Sequence, residues 1–357
     1  MLKKAAAVFL ICGSIAITVG CSSTSSHYLY AAIPSANEIV VFREDPNSGA
    51  LVQLAGSPLT AGGAVQSLVI HPTKNFLYAA NSGDVPGDVS LFTISATGGL
   101  QEVTPPTEAG TAPTLLAIDS AGSYLYAANS GSFNVSVFSI DSTTGKLTPV
   151  GTPFQIGISP SNMALTPSGN FLYITGPGSP GYIQAFAMAN GVPTPVPGTP
   201  FYTGANPFGL AIDPSGSYLY TGNKLDNSIS EFSISSTDGS LTQLQGSPIG
   251  ETYSAPVALL VDPSGKYLYG TNQGSTNMAG FSIGTSGGLT LLTASPFGTG
   301  SQPGFIASDP SGNVLFVANQ SSTGTIQSFS VDPGSGTLTS VSTYSAGGIP
   351  TSIAVTH

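Results

Sequence analysis

An internal period constrains this chain more than any other feature of its sequence. The apolar triplet Tyr28-Leu29-Tyr30 recurs at Phe76-Leu77-Tyr78, Tyr124-Leu125-Tyr126, Phe171-Leu172-Tyr173, Tyr218-Leu219-Tyr220, Tyr267-Leu268-Tyr269 and Val314-Leu315-Phe316. Its central Leu steps by 48, 48, 47, 47, 49 and 47 residues. A second marker follows in each unit, at Phe42, Phe92, Phe138, Phe186, Phe232, Phe281 and Phe329. Seven copies at so constant a step specify a repeat architecture before any single motif is considered.

Each unit reads as four short strands joined by tight turns. In the fifth, Phe208-Gly-Leu-Ala-Ile212 is an apolar strand and Asp213-Pro-Ser-Gly216 a turn. Tyr218 to Thr221 forms the second strand, Ile229 to Ile234 alternates as the third, and Leu241 to Leu244 follows the turn at Gly239. The turn chemistry agrees: Pro sets φ, Asp accepts from the backbone, and Gly takes positive φ. Four-stranded units repeated around a ring make an all-β, seven-bladed β-propeller, in which only short edges stay exposed. The chain starts on a second strand and ends on an unattached first strand, Thr351 to Val355. That strand should complete the N-terminal blade, making 28–357 one closed domain.

Composition fits such a body. Only 7% of the 357 residues are charged, with a net charge of −10, against about 25% in an ordinary domain. Gly (45) and Pro (28) speak against long helices. Turns rich in Ser, Thr, Gly and Asn solvate the surface instead. Seven Lys plus Arg in all exclude a nucleic-acid interface, because phosphate neutralisation needs clustered cations.

The N-terminus reads as an address. Lys3 and Lys4 precede an apolar run from Ala5 to Val19, too short for a membrane span but suited to a secretory signal. Thr18-Val19-Gly20-Cys21 then resembles a bacterial lipobox, with Thr18 where Leu is usual. Residues 1–20 are read as a lipoprotein-type signal, Cys21 as the lipidated mature N-terminus and 21–27 as a Ser-rich linker. The expected location is the cell envelope, at the periplasmic or outer face, with plain secretion as the alternative. Losing Lys3 and Lys4 leaves 5 basic against 17 acidic residues, so only the lipid should hold the protein to a membrane. The mature chain should contain no disulfide, and a monomer is expected.

The repeats resemble those of a known family. Asp262-Pro-Ser-Gly-Lys-Tyr-Leu-Tyr269, Val135-Ser-Val-Phe-Ser-Ile-Asp141 and Thr144 to Phe154 are similar to the blades of the lactonase-type seven-bladed propellers. That group includes bacterial 6-phosphogluconolactonases and is close to the YVTN-repeat surface proteins, whose slot reads Tyr78-Ala-Ala-Asn81 and Tyr126-Ala-Ala-Asn129 here. The resemblance implies hydrolysis of an anionic lactone by His, Arg and Glu side chains around the channel mouth. These markers specify the blade, not a site.

Chemistry-bearing motifs are sparse. Gly176-Pro-Gly-Ser-Pro-Gly181 matches a dinucleotide loop, but a strand follows it where a helix is needed. Gly284-Thr-Ser-Gly-Gly288 matches a nucleophile elbow but sits in a blade turn. Asp119, Asp213, Asp262 and Asp309 each open a turn, and Asn81, Asn129, Asn223, Asn272 and Asn319 should bond backbone at the ends of second strands. His27, His71 and His357 are dispersed, read as surface residues, and argue against a zinc site. No metal and no cofactor are expected. The assignable mouth loops carry Asp84, Asp88, Glu108, Lys224, Asp226, Glu251 and Tyr253, with Lys224 the one cation. The long loop at 82–87 and the long connection at 250–254 single out Glu251 and Asp84 as candidate bases. Asp88, Glu108, Lys224, Asp226 and Tyr253 are candidate ligand-binding residues. Two functions follow. One is a non-catalytic propeller binding a glycan, peptide or partner at its top face; the other is a lactone hydrolase using Glu251 or Asp84.

Overall fold

The computed structural model describes residues 27–250 and 254–356. Those residues form seven antiparallel sheets, each built outward from a short inner strand. The inner strands are Val65–Ile70, Pro113–Ile118, Asn162–Leu165, Pro207–Ile212, Pro256–Val261 and Pro303–Ser308 in blades 2 to 7. Blade 1 takes its inner strand from the C-terminus. Ser352–Val355 pairs with His27–Ile33, placing Leu29 opposite Val355 and Ala32 opposite Ser352. The expected closure is present, and the ring is sewn shut by hydrogen bonds between the two ends of the chain.

Blade strands are one step richer than expected. In blades 1, 3, 4, 5 and 6 a fifth two- or three-residue strand, such as Ile249–Gly250, pairs the mouth end of the third strand. It covers an edge that the short fourth strand leaves open.

The repeated markers are core residues. Leu29, Leu77, Leu125, Leu172, Leu219, Leu268 and Leu315 are wholly buried between blades. The aromatic that follows each Leu spans the seam to the next blade. Tyr30, Tyr78, Tyr173, Tyr220 and Tyr269 donate their hydroxyls to the carbonyls of Gly98, Gly145, Gly239, Gly287 and Gly336 at 2.8 to 3.0 Å. Those glycines lie in the turns before fourth strands and have positive φ, which a side chain would resist. Burial pushes the tyrosine hydroxyls well up, keeping them as donors. In blade 7 the corresponding residue is Phe316, which has no hydroxyl to donate.

The turn aspartates act as the sequence suggests. Asp213 accepts from the backbone of Ser217 and Tyr218 at 2.7 Å each, and Asp119, Asp262 and Asp309 accept in the same manner. The recurring spacing of Asp and Gly in these turns therefore serves the scaffold. The glycine-rich matches are blade connections too: Gly176 ends one strand and Gly181 starts the next.

Candidate binding site at the channel mouth

Inner strands run from the mouth towards the opposite face, so the residues opening them ring the top of the channel. Just before four of these strands stand Ala64, Ala112, Asn206 and Gln302, at φ of 51 to 55°, with Ala255 in the same conformation before a fifth. Each carbonyl there accepts the N–H of the residue after the repeated Asn: Ser82, Ser130, Lys224, Gln273 and Gln320, at 2.8 to 3.3 Å. That bond turns the following residue towards the channel. It is paid for by a backbone conformation that L-residues adopt reluctantly.

The repeated Asn residues hold these loops mostly through side chains. Asn129 and Asn223 donate across their hairpins to Ser136 and Ser230 at 3.0 and 2.8 Å. Backbone partners, expected from the sequence, appear where Asn129 accepts from Gly110 at 3.1 Å.

The result is a cavity of about 560 Å³ at the mouth. Ser130, Lys224, Gln273 and Gln320 line its rim, with Gln66, Thr114, Asn162 and Ser352 from inner strands and Ser161 just before one. Leu115, Phe208, Leu210, Val257 and Phe305 supply the apolar wall. A polar relay crosses three blades. Lys224 Nζ donates to Gln273 Oε1 at 2.8 Å, Gln273 Nε2 to Gln320 Oε1 at 3.1 Å, and Gln320 Nε2 to the Pro350 carbonyl at 3.2 Å. Lys224 also stands 5.1 Å over the Phe208 ring, a cation–π arrangement. Gly304 makes room for the relay, because a Cβ there would come within 2.2 Å of the Gln320 carboxamide.

Of the residues singled out from the sequence, Lys224 alone among the described ones lines this cavity. Asp84 and Glu108 are exposed at the rim of blade 2. Asp88 accepts from Asn81 Nδ2 at 2.6 Å and faces Glu108 in the strand register. Burial, with Asp84 and Glu102 nearby, raises the Asp88 carboxyl above its usual range, against the Asn81 bond. Asp226 accepts from the Ala205 N–H and so ties its loop to the connection that opens the inner strand of blade 5. Glu251 and Tyr253 lie outside the described residues. Gln273 and Gln320 were missed, although both follow the repeated Asn in the slot that Lys224 fills.

The histidines depart from expectation. His71 is buried rather than on the surface, with Nε2 at 2.9 Å from the Gly122 carbonyl and Nδ1 at 2.7 Å from Thr73 Oγ1. It has taken over the turn role of the aspartates in other blades. His27 packs against Glu44, Nδ1 to Oε2 at 3.6 Å, so its isolation in sequence does not carry over into space. His357 lies outside the described residues.

A model of the "Lactonase, 7-bladed beta-propeller" family matches residues 21–159, 157–254 and 249–355. The chain belongs to that family. No curated protein matches it. Solved lactonase-fold structures resemble it closely in shape and weakly in sequence. A candidate 6-phosphogluconolactonase of Bacteroides uniformis is 23% identical, with 93% of this chain and 99% of that one covered and a TM-score of 0.79. The periplasmic gluconolactonase of Pseudomonas aeruginosa is 20% identical over 93% and 99%, with a TM-score of 0.77. A Lactobacillus plantarum protein gives 22%, the same coverages and 0.80. At these identities the likeness speaks for the lactonase fold, and the side chains at the mouth must speak for the chemistry.

Proposed function

We propose that this lactonase-family propeller is an exported, non-catalytic binding module whose channel mouth holds a small, hydroxyl-rich ligand such as a glycan end or an uncharged lactone. The supporting observation is the lining itself. Among the described residues the cavity offers one cation, Lys224, several neutral amides and hydroxyls, and neither a carboxylate nor an imidazole. Hydroxyls and carbonyls of a sugar-sized ligand pair well with Gln, Ser and Thr, while Phe208 and Phe305 offer apolar faces. A phosphorylated sugar would ask for a fork of cations. Water activation would ask for a base within reach.

Lactone hydrolysis is the second reading, favoured by the family match. It would rest on Glu251, six positions before the cavity-lining Val257 in sequence. The test is calorimetry and a hydrolysis assay of the purified full chain against a panel of aldonolactones and short glycans. Binding without turnover, weakened at least tenfold by Lys224→Met, is the expected outcome. Turnover abolished by Glu251→Gln would replace this reading with the hydrolase.

Export with a lipid at Cys21 belongs to the same proposal. His27–Ile33 starts at the face opposite the mouth, so a tether at Cys21 would leave the mouth pointing away from the membrane. Palmitate labelling of wild type and Cys21→Ala checks it: label in wild type alone is expected, and equal label in both contradicts it.

A further inference from the structure

Glu44 is out of place in its own repeat. Two residues beyond the Phe marker, the other blades carry Ile94, Ile140, Met188, Ile234, Ile283 and Val331. Blade 1 puts a glutamate in this aliphatic slot and buries it to 1% exposure. Neither carboxylate oxygen has a hydrogen-bond partner, and neither does Nδ1 of His27 beside it. Leaving a buried carboxylate unpaired is among the costlier things a fold can do.

The groups facing it are complementary to something other than protein. His27 opens the second strand of blade 1 directly opposite Glu44 in the register. Asp309, fully buried, comes from the turn after the inner strand of blade 7. One donor atom from each of the three lies within 4.8 Å of the others. A shared proton between the two carboxylates would draw their oxygens to hydrogen-bond distance, yet Glu44 has no such contact. Asp309 is already held by Val314 N at 2.8 Å, Ser311 N at 3.2 Å and the Ser311 hydroxyl. Three bonds leave about one lone pair of a carboxylate free, and they orient it as partners behind a metal ligand do.

We propose that His27, Glu44 and Asp309 bind a divalent transition-metal ion, with zinc the natural occupant, across the seam where blade 7 meets blade 1. One imidazole and two carboxylates are borderline donors that suit zinc better than calcium or magnesium, which favour all-oxygen shells. Zinc bonds of about 2.1 Å place neighbouring donors roughly 3.4 Å apart, so the side chains need close by at most about 1.4 Å. The edge of His27, 15% exposed, gives the ion a way in. The site lies at the face opposite the mouth and joins the first strands of the chain to its last complete blade. Its role is to fasten the ring, and it does not depend on what the mouth binds.

The experiment uses the full chain, purified with a histidine-free tag and stripped with chelator. One equivalent of zinc should bind by elemental analysis, and a hundredfold excess over Kd should raise Tm by about 4 °C. Glu44→Ile restores the residue of the neighbouring blades and should fold, melt no lower than chelated wild type, and lose the zinc shift. His27→Asn, the residue type of three other blades at this slot, should weaken zinc at least tenfold. An unshifted wild type, an equal shift in Glu44→Ile, or an equal response to magnesium and calcium overturns the proposal.

Discussion

The seam between blades 5 and 6 and the seam between blades 7 and 1 solve the same packing problem differently. At the first, Tyr220 donates to the Gly287 carbonyl at 2.8 Å, and the buried Glu231 accepts the Leu289 N–H at 2.7 Å. Every polar group named there is satisfied by the chain. At the second, Phe316 stands where the tyrosine would be, and Glu44, His27 and Asp309 converge without hydrogen bonds among them. The apolar part of both seams is equally dry, with Leu268 at the first and Leu29 at the second fully buried. The difference is therefore one of polar closure. Within the chain a seam can be latched by its own backbone; at the junction of the termini the latch has been given to groups that an outside cation can join.

The largest break between the two seams should appear on changing pH. Burial first, then Asp309 and Asp45, pushes the Glu44 carboxyl up to about 8 from a usual 4.5. A raised carboxyl adds stability that is complete below its unfolded value and is lost as pH rises through the folded one. In chelator, urea melts of wild type should thus lose stability between pH 4.5 and 8 relative to Glu44→Ile, by at most about 1.4 kcal/mol per pH unit. With zinc present the trend should reverse, since the metal competes with protons for the same ligands. A flat difference in chelator would show that Glu44 is not buried as described.

A smaller effect should come from the tyrosine latch. Tyr220→Phe leaves the Gly287 carbonyl without its donor and should cost about 1–3 kcal/mol in the same melts. The reciprocal change, Phe316→Tyr, should gain about 1 kcal/mol or less by offering a hydroxyl to the turn at Gly49. Val314 already packs against Gly49 as Tyr218 packs against Gly287, so the spacing is prepared. A loss at Phe316→Tyr would mean that the closing seam is set at a different distance.

Most of the fold was legible because the repeat writes it seven times. The stepped Leu, the Asp-to-Gly turns and the orphan last strand each state a local rule, and the rules agree. The mouth was only partly legible. Lys224 was found by charge, while Gln273 and Gln320 are neutral and are aimed by a backbone bond to Ala255 and Gln302, which sequence does not display. Acidic loop residues stand out in the sequence, yet Asp226 serves to tie its loop to the one that opens the neighbouring inner strand. The triad was legible by halves. Glu44 breaks the aliphatic column of its repeat and could have been seen there. Its partner Asp309 is 265 positions away in sequence, and only closure of the ring brings the two together.

The most direct measurement is anomalous diffraction at the zinc edge from crystals of the zinc-loaded full chain. A single strong peak bonded at about 2.1 Å to His27 Nδ1 and to one oxygen each of Glu44 and Asp309 is the predicted result. Zinc bound elsewhere, with Glu44 and Asp309 instead sharing a short hydrogen bond, would contradict the claim that a cation fastens this ring.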